Sequence, residues 1–400
     1  YFRNIKIPQF ITNDLNKQIE LILNNLYKNH PKKTIAVTGT NGKTSVTWYI
    51  SEILNLLKYQ NSSVGTLGHY INGKKINETN LTTPAYEELV KYGSYAKMNK
   101  NTFIFEASSH ALDQNRIRNY PVNIAAITNI SNDHLDYHKT ISEYKKAKIK
   151  LFTNHLDRNG IAIINKRINN IFLLTKKLIN YGIKIKYFGK NYVFLENKNI
   201  FFNLKIKNNK YKIKNLKLVT DIELENLECA ITCCLALNIN EKKIVKILPN
   251  ITNPPGRLQK LNYKKKKTKI VVDYAHTPNA LERILKSLST DNLKPVLVFG
   301  CGGQRDKSKR KLMGIVASKF ASKVYITDDN PRNEDPSTIR QNIIKHCPGS
   351  IEIPDRKNAI TQAIKDLKQN ETLIIAGKGH EKTQIVKDKK LKFDDMKIVK

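Results

Sequence analysis

The sequence has few cysteines and no long apolar run. Its five cysteines, at positions 229, 233, 234, 301 and 347, are odd in number and lack the paired spacing of a metal site. This pattern favours a reducing compartment over a disulfide framework, so we expect a cytoplasmic protein. No apolar stretch approaches the roughly 20 residues that a membrane span needs, and we expect none. Because the chain begins with Tyr1 rather than Met, we expect further sequence upstream.

Acidic residues are also scarce. The chain has 34 Asp and Glu against 70 Lys and Arg, which gives a formal net charge of +36. Such a balance invites the hypothesis of nucleic-acid binding. The lysines are nevertheless spread over the whole chain, and the densest run, at residues 264–267, is expected at a solvated hairpin edge. We therefore expect no nucleic-acid partner, and we expect the charge to favour small anionic ligands.

The order of the apolar segments indicates an α/β protein with two sheet domains. Residues 1–33 are polar, with one helical stretch at 15–27, and we interpret them as a linker or the remnant of an N-terminal domain. Residues 34–253 alternate strands and helices, which predicts a central domain with a mostly parallel sheet like that of P-loop ATPases. Two prolines and a glycine follow Asn253 and mark a boundary. Residues 254–400 predict a second, Rossmann-like α/β domain.

Individual elements follow from composition and periodicity. Short apolar runs predict central strands at 34–38, 103–106, 123–128 and 161–164, and helices are predicted at 141–152 and 224–237. Alternating residues at 187–218 predict antiparallel hairpins. In the second domain we predict strands at 270–274, 296–299, 324–327 and 373–376, with helices starting near residues 279, 309, 337 and 358.

The stretch TIAVTGTNGKTSVTWY, at residues 34–49, predicts a strand, a glycine turn and a helix start. Gly39 and Gly42 would let the backbone approach a phosphate, and the helix N-terminus would face it. Lys43 can reach terminal phosphates, and the Thr44 hydroxyl can bind Mg²⁺. The loop is shorter than the usual phosphate-binding pattern because two residues separate its glycines, and an ordinary helix start is the alternative.

Two more predicted strand ends carry polar groups. Glu106 closes an apolar strand; it would share a Mg²⁺ ion with Thr44, or it would only cap the strand end. His134, in TNISNDHLDYH, could bind a second metal, pair with an acid or lie in a polar core. Lys148 follows on a predicted helix and, by residue type alone, would be a surface lysine.

These motifs, GTNGKT, the strand-end Glu106, TNxxxDHLDYH and the final lysine of YKKAK, resemble the Mur ligase superfamily in order and spacing. Its members are ATP-dependent amide-forming enzymes of peptidoglycan precursor assembly. The resemblance implies ATP and Mg²⁺ as cofactors, and Lys43, Glu106, His134 and Lys148 as catalytic residues. It also implies that Thr44 and Glu106 bind one metal ion, and that His134 binds another together with a carbamylated Lys148.

Motifs in the second domain resemble the member that adds the third peptide residue. GCGGQRDK begins at Gly300, and TDDNPR, which ends at Arg332, resembles the variant that selects meso-diaminopimelate. Diaminopimelate carries a second carboxylate that lysine lacks, and an arginine fork can bind it bidentately. GKGHE would complete the pocket, with Glu381 receiving an ammonium group. For DNPR alone, a plain Asn-Pro turn is the alternative.

The resemblance implies three groups of binding residues. The ATP group is Gly39, Thr40, Asn41, Gly42, Lys43, Thr44, Ser45, Asn129, Arg257 and Asp273. The group for UDP-N-acetylmuramoyl-L-alanyl-D-glutamate is Thr82, Thr83, Ser108, Gln114 and Arg116. The diaminopimelate group is Arg305, Asp329, Asn330, Pro331, Arg332, Gly377 and Glu381.

The implied reaction passes through an acyl phosphate, and we expect the enzyme to act as a monomer. A folylpolyglutamate synthase-like ligase is the nearest alternative, and a catalytically silent nucleotide- or nucleic-acid-binding remnant is another. The sequence departs from the family pattern at Leu81, Glu223, Gln259, Asn279, Gln304 and Met396. Residues 220–223 lack the Gly-x-Phe-Asn signature near the adenine, which puts nucleotide contacts there in question. The N-terminal uridine-binding domain is largely missing from these 400 residues, and we expect it upstream.

Overall fold

A computed structural model describes residues 11–28, 30–95, 101–169, 171–190, 192–198, 200–263, 268–290 and 293–400. The lysine run at 264–267 and part of the predicted linker, residues 1–10 and 29, lie outside the described residues.

The first sheet has eight strands in the order β4-β3-β2-β5-β1-β6-β7-β8. Their bounds are β1 Lys33–Thr38, β2 Asn61–Gly65, β3 Gly68–Ile71, β4 Lys74–Asn77, β5 Thr102–Glu106, β6 Val122–Ile127, β7 Leu156–Asn165 and β8 Lys184–Phe188. All neighbours from β2 to β8 pair in parallel, whereas β3 and β4 form an antiparallel edge. Ile35, Ala36 and Val37 are fully buried at its centre, because helices cover both faces of a parallel sheet.

Nine helices accompany this sheet within the described residues: α1 Leu15–Leu26, α2 Lys43–Leu56, α3 Tyr86–Ser94, α4 Ser109–Asp113, α5 Leu135–His138, α6 Ile141–Lys150, α7 Phe172–Asn180, α8 Asp221–Ala236 and α9 Glu241–Ile247. One face of the sheet packs against α2 and α8 through residues such as Ile50 and Leu227. The other packs against α3 and a π-helical turn, Leu151–His155, which ends the predicted 141–152 helix.

A small antiparallel sheet covers the α8 side of this domain. It consists of β9 Phe194–Asn197, β10 Phe202–Ile206 and β11 Asn209–Ile213, and Leu204 and Ile206 bury their side chains in the same core as α8. The predicted hairpins are therefore present, but the predicted stretch began too early. Tyr187 and Phe188 belong to β8, which pairs in parallel with β7.

The second domain has its own sheet in the order β12-β13-β17-β14-β15-β16, and only its β12 edge is antiparallel. The strands are β12 Gln259–Tyr263, β13 Thr268–Asp273, β14 Val296–Phe299, β15 Lys323–Ile326, β16 Ile351–Glu352 and β17 Thr372–Ala376. Its helices are α10 Pro278–Leu288, α11 Ser308–Phe320, α12 Pro336–Ile344, α13 Arg356–Asp366 and α14 Asp395–Val399, and a hairpin joins β18 Thr383–Val386 to β19 Lys389–Lys392.

The predicted α/β fold class is confirmed by these two parallel-rich sheets. Strands β1, β5 and β6 are neighbours and run in the same direction, so the loops after Thr38, Glu106 and Ile127 leave from one edge. Polar groups that follow these strands are thereby brought together. Among the described residues, no helix combines the length and apolar character needed to cross a bilayer.

A buried ion pair fixes α14 on the second sheet. The side chains of Arg356 and Asp395 are both fully buried. Arg356 Nη2 lies 2.8 Å from Asp395 Oδ2 and 3.0 Å from the carbonyl oxygen of Ala376. We predict that Asp395→Ala lowers the free energy of unfolding by about 3–5 kcal/mol, because it leaves a buried guanidinium without its partner. The control Glu282→Ala, which removes an exposed pair with Lys286, should cost about 1 kcal/mol or less. Urea unfolding measures both, and equal losses would contradict the prediction.

Candidate active site

The loop between β1 and α2 depends on two glycines. Gly39 and Gly42 have φ angles of +144° and +88°. A Cβ atom at Gly42 would lie 2.3 Å from Asn226 Oδ1, and one at Gly39 would lie 1.9 Å from Thr128 Oγ1. Larger residues therefore cannot keep this backbone path. Since Gly42 is the N-cap of α2 and has no side chain to cap it, the first amides of the helix can serve an anion.

Asn129 shapes this loop from the end of β6. The backbone N–H of Asn41 donates to Asn129 Oδ1 at 2.9 Å, and that of Thr40 donates to the Asn129 carbonyl at 3.0 Å. Asn129 Nδ2 donates in turn to the Asn41 carbonyl at 3.0 Å. Both ends of the Asn129 side-chain amide and its backbone carbonyl thus bond to the loop, which Asn129 holds in position.

Two lysines meet at one carbonyl oxygen of the loop. Lys43 Nζ and Lys148 Nζ donate to the Gly39 carbonyl at 2.7 and 2.8 Å. Lys148 is 1% exposed, so the expectation of a surface lysine from residue type is wrong; α6 packs this side against the loop. Burial, and then the charge of Lys43, lower the pKa of Lys148 well below its usual value. Burial also lowers the pKa of Lys43.

Glu106 lies buried beside Thr44. Its carboxylate accepts from Thr44 Oγ1 at 2.9 Å and from the Thr66 N–H at 2.8 Å. Burial raises the pKa of Glu106, while the charge of Lys43 opposes the shift. One hydroxyl and one carboxylate fit Mg²⁺, which usually keeps several waters and binds phosphate oxygens as well. In the described part of the chain, no group of three His, Cys, Asp or Glu side chains could hold a metal alone.

His134 stands in a cluster of histidine and tyrosine rings. Its ring centroid lies 4.8 Å from that of His110 and 6.4 Å from that of Tyr144. The backbone N–H of His134 donates to Asp133 Oδ1 at 2.9 Å, and the ring Nε2 of His134 lies 3.5 Å from Asp133 Oδ2. Burial lowers the pKa of His134, so the neutral imidazole, the form that binds metals, is favoured. Pairing with an acid is present, and the metal role stays a prediction.

Arg332 is held by backbone carbonyls at the mouth of the second domain. Its φ angle is +51°, and its Nη1 donates to the Gly303 carbonyl at 2.8 Å. Its backbone N–H donates to the Ile385 carbonyl at 3.1 Å, which fixes the residue to β18. Burial, followed by the charge of Arg305, lowers the pKa of Arg332. Arg305 and Arg332 line the same cleft, so their two positive charges favour an anion there.

Glu381 lines the same cleft as these arginines and is held by a network of donors. Asn330 Nδ2 donates to Glu381 Oε2 at 2.9 Å, and the fully buried Lys378 Nζ lies 3.2 Å from the same oxygen. Tyr274 OH donates to Glu381 Oε1 at 3.4 Å. A cleft lined by one carboxylate and two guanidinium groups suits an amino acid, which carries both charges.

Both halves line one cleft of about 610 Å³. Eighteen of the predicted residues line it: Thr40, Asn41, Gly42, Lys43, Thr44, Thr82, Glu106, Ser108, Arg116, His134, Lys148, Arg257, Arg305, Asp329, Asn330, Arg332, Gly377 and Glu381. The phosphate loop and the DNPR arginine are thus brought together, as the sequence predicts for two lobes of one site.

Seven predicted residues do not line this cleft. Ser45 and Asp273 line a smaller cavity of about 80 Å³ beside the loop, and Gln114 lines a third of about 720 Å³ next to α1. Gly39 and Asn129 shape the loop as described. Thr83 is buried and donates to the Glu106 carbonyl at 2.8 Å. Pro331 does not line the cleft, although Asn330 and Arg332 on either side of it do.

Sequence reasoning missed several residues that line the cleft. Thr66 follows β2, a strand that composition did not reveal, and it binds Glu106. Asp133 directly precedes His134 in TNISNDHLDYH, but the motif gave no role to its carboxylate. His380 belongs to the GKGHE motif, whereas His276 lies three residues after Asp273 and Lys309 two residues after GCGGQRDK; the resemblance gives none of the three a role.

Family comparisons agree with this arrangement. The Mur ligase middle domain matches residues 37–234, and the Mur ligase glutamate ligase domain matches residues 256–379. A UDP-N-acetylmuramoyl-L-alanyl-D-glutamate--2,6-diaminopimelate ligase of Rickettsia bellii is 40% identical over 405 residues, 97% of this chain and 83% of that protein. The chain belongs to the Mur ligase family.

Other members show how far this likeness extends. The ligase of the same name from Rickettsia montanensis is 41% identical and covers 100% of this chain, which spans 85% of that protein. A solved Mur ligase structure of that name covers 95% of this chain and 80% of its own, with a TM-score of 0.64 and 32% identity. A folylpolyglutamate synthase of Mycobacterium tuberculosis has a TM-score of 0.72 at 17% identity, which shows a shared fold alone.

The contact between Gly42 and Asn226 can be isolated by mutation. We predict that Gly42→Ala lowers the free energy of unfolding by about 1–3 kcal/mol more than Gly349→Ala, because overpacking adds to the strain of a positive φ. Gly349 has a similar φ of +76°, but a Cβ there meets nothing within 4 Å. Urea unfolding compares the two variants. Similar losses of unfolding free energy would contradict the prediction, because they would mean that Asn226 moves away at little cost.

Proposed function

We propose that this chain is an ATP-dependent ligase that adds meso-2,6-diaminopimelate to UDP-N-acetylmuramoyl-L-alanyl-D-glutamate in peptidoglycan precursor synthesis. One observation carries the proposal: Lys43 of the phosphate loop and Arg332 of the second domain line the same cleft. A phosphoryl-transfer site that shares a cleft with an amino-acid site suits the activation of a carboxylate and its capture by an amine. The names of the 40–41% identical relatives support these substrates.

ATP would place its phosphates on the loop and its ribose near Asp273. The Asp273 carboxylate accepts from the backbone N–H groups of Leu258 and Ala275 at 2.7 and 2.8 Å, which fixes it at the wall of the small cavity. Ile222 and Ile284 also line this cavity and offer apolar surface to a base. Its 80 Å³ is below the usual size of a ligand site, so we expect the domains to open for ATP and to close on it.

Mg²⁺ would neutralise charge on the transferring phosphate. Thr44 and Glu106 would hold one ion, and His134 with Lys148 would hold the second. For Lys148 this requires carbamylation: its uncharged amine attacks CO₂, an N–C bond forms, and a proton is released to leave a carboxylate-like group. Burial favours that uncharged amine, as its lowered pKa indicates.

The acceptor substrate would enter along Thr82, Ser108 and Arg116. Arg116 lines both the main cleft and the cavity next to α1, where Gln114 also lies. Its Nη1 donates to the Thr83 carbonyl at 2.9 Å, so the guanidinium is already oriented. An arginine between two cavities suits a long, anionic substrate that reaches from one to the other.

In the first step, the D-glutamyl γ-carboxylate attacks the γ-phosphorus of ATP, the bond to ADP breaks and an acyl phosphate forms. Lys43 would stay within reach of the transferred phosphoryl group, and the loop amides would orient it. In the second step, the diaminopimelate amine attacks the acyl carbon, phosphate leaves and the amine loses a proton. A closed cleft protects the acyl phosphate from water.

The amine substrate would be oriented by charge. Arg332 and Arg305 would bind its far carboxylate, while Glu381 and Asp329 would receive its far ammonium group. Asn330, Pro331 and Gly377 would form the pocket wall. We also propose a cytoplasmic location; the five free and buried cysteines support a reducing compartment. The monomeric state stays a prediction.

Replacing Lys148 tests the second metal site. We predict that Lys148→Ala abolishes ligation while the protein still folds, because the change removes the buried amine that α6 brings to the phosphate loop. Added formate or acetate should restore part of the rate by supplying a small carboxylate. Lys146→Ala, an exposed lysine of the same helix, serves as control and should keep full activity. Near-normal turnover of the Lys148 variant would refute the role of this amine.

Replacing Arg332 tests amine selection. We predict that Arg332→Ala weakens diaminopimelate binding by about 2–5 kcal/mol, as expected for a buried carboxylate that loses its partner, with little change in the KM for ATP. The assay compares diaminopimelate, lysine and glutamate as amine substrates and measures phosphate release. Arg158→Ala, at an exposed arginine of the central sheet, should change neither value. Equal losses for ATP and the amine, or a preference for glutamate in the unmodified protein, would contradict the proposal.

A further inference from the structure

Helix α7 carries apolar side chains on the side that faces solvent. The helix lies between β7 and β8 in the chain, and its Leu174 and Leu178 are buried in the core of the central domain. The opposite side carries Phe172, Leu173 and Ile179, whose exposed fractions are 69%, 75% and 62%. The solvent side of a surface helix is normally polar. The chain therefore exposes an apolar helix face.

Basic residues lie on the same side of this helix. Because successive residues are about 100° apart around a helix, Lys176 falls between Phe172 and Leu173, and Lys177 follows next to Leu173. Both lysines are exposed. Tyr181, the C-cap, is exposed as well, and Lys177 Nζ lies 5.8 Å from the centroid of its ring. Apolar, aromatic and cationic groups are thus interleaved on one face.

The stretch of sequence around α7 contains no acidic residue. Between Asp157 and Glu196 there is no Asp or Glu, whereas the whole chain has one for about every twelve residues. The same stretch has eight cations: Arg158, Lys166, Arg167, Lys176, Lys177, Lys184, Lys186 and Lys190. Arg167 pairs with the buried Glu228 at 2.7 Å, and five of the others are exposed. The local positive charge therefore exceeds the bias of the chain as a whole.

A second aromatic and basic group lies at the edge of the sheet where α7 begins. Strands β7 and β8 are parallel, so the chain enters α7 at the same edge at which β8 ends. At the end of β8, Lys166 Nζ lies 4.2 Å from the centroid of the Tyr187 ring and 5.6 Å from that of Tyr192. Tyrosine is enriched where membranes meet water, and lysine can extend its ammonium to that boundary.

We propose that the α7 face docks onto the surface of an anionic phospholipid bilayer. The α7 face consists of the exposed apolar, aromatic and basic side chains of the helix and its C-cap: Phe172, Leu173, Lys176, Lys177, Ile179 and Tyr181. The apolar side chains enter the boundary between headgroups and acyl chains, and the lysines meet the phosphate groups. A helix of nine residues is too short to span a bilayer, so α7 lies along its surface.

The composition of the α7 face favours a bilayer over two other partners. A nucleic acid would bind the lysines and stack on Phe172, but it would gain little from the aliphatic side chains of Leu173 and Ile179. A second copy of the same face would bring the lysines of both chains together without an acid to meet them. An anionic surface with an apolar layer beneath it satisfies both classes of side chain.

Flotation of the 400-residue protein with lipid vesicles tests this surface. Vesicles of phosphatidylcholine alone are compared with vesicles that contain about 30% phosphatidylglycerol, which supplies the negative charge. Two double variants each remove one class of side chain: Phe172→Ser/Leu173→Ser and Lys176→Gln/Lys177→Gln. The matched controls are Leu312→Ser/Ile315→Ser, at exposed apolar residues of α11, and Lys242→Gln/Lys243→Gln, at adjacent exposed lysines of α9.

We expect the protein to float with the anionic vesicles and not with phosphatidylcholine alone. Each α7 double variant should lower the partition coefficient about tenfold, because each removes two of the groups that contact the lipid. The controls should stay within about twofold of the unmodified protein. All changed side chains are exposed, so thermal unfolding should be the same for every variant.

A tryptophan at position 172 measures insertion separately from adsorption by charge. In Phe172→Trp, the emission should move to shorter wavelength when anionic vesicles are added, because the indole enters an apolar layer. Leu312→Trp, at an exposed position of α11, should show no such change. Trp48 is present in both variants and cancels in the comparison.

Failure to float with anionic vesicles would overturn the proposal. Equal losses in the α7 variants and the controls would also overturn it, because binding would then follow the net charge of +36. The same holds if only the lysine variant binds less and the tryptophan emission stays unchanged, since α7 would then not insert.

Two further outcomes would assign the α7 face to another partner. Without vesicle binding, a change of oligomeric state in the α7 variants, measured by sedimentation velocity, would point to a second copy. A loss of salt-dependent RNA binding in the same variants would point to a nucleic acid. None of these measurements uses ligation, so the proposed function and the docking surface stand or fall separately.

Discussion

The carbonyl oxygen of Gly39 holds the site together, because it accepts hydrogen bonds from both Lys43 and Lys148. Two amines at one oxygen repel each other if both are charged, and burial increases the cost. Nearby Glu106 and Asp133 favour the charged form of Lys43, while the pKa of Lys148 is lowered by burial and by Lys43. This arrangement suits the two roles proposed for these lysines, which are binding of a phosphate near both amines and carbamylation of Lys148.

The two domains meet at this site through Arg257. Its Nη2 donates to Thr44 Oγ1 at 3.3 Å, and its guanidinium lies 4.3 Å from the centroid of the Tyr274 ring. Thr44 belongs to the phosphate loop, and Tyr274 donates to Glu381 in the amino-acid half. A single side chain therefore connects the hydroxyl proposed to bind a metal with the carboxylate proposed to receive the amine. Movement of the second domain would therefore change the surroundings of both Thr44 and Glu381.

Sequence alone predicted the apolar strands β1, β5, β6 and β7 and the glycine turn after β1, because apolar runs and glycine spacing are local signals. It missed β2, which is buried but consists mainly of Asn and Ser, and it missed β3 and β4, which are short and partly exposed. It also misjudged Lys148 as a surface residue: its burial depends on how α6 packs against a loop 109 residues earlier, and no local feature encodes that. Only the resemblance to a family gave this lysine a role, and which residues share a cleft needed three dimensions.

The departures from the family pattern show how a site tolerates change. Gln259 accepts from the Gly256 N–H at 2.8 Å, and Met396 packs into the apolar cluster beneath α14, so each is absorbed by its own domain. Gln304 keeps its turn with a φ of +50° and donates from its backbone to Glu334. Glu223 differs, because its buried charge is matched by Lys260 from the other domain. A change met within one domain alters local contacts, whereas the change at Glu223 is met by a contact between the two domains.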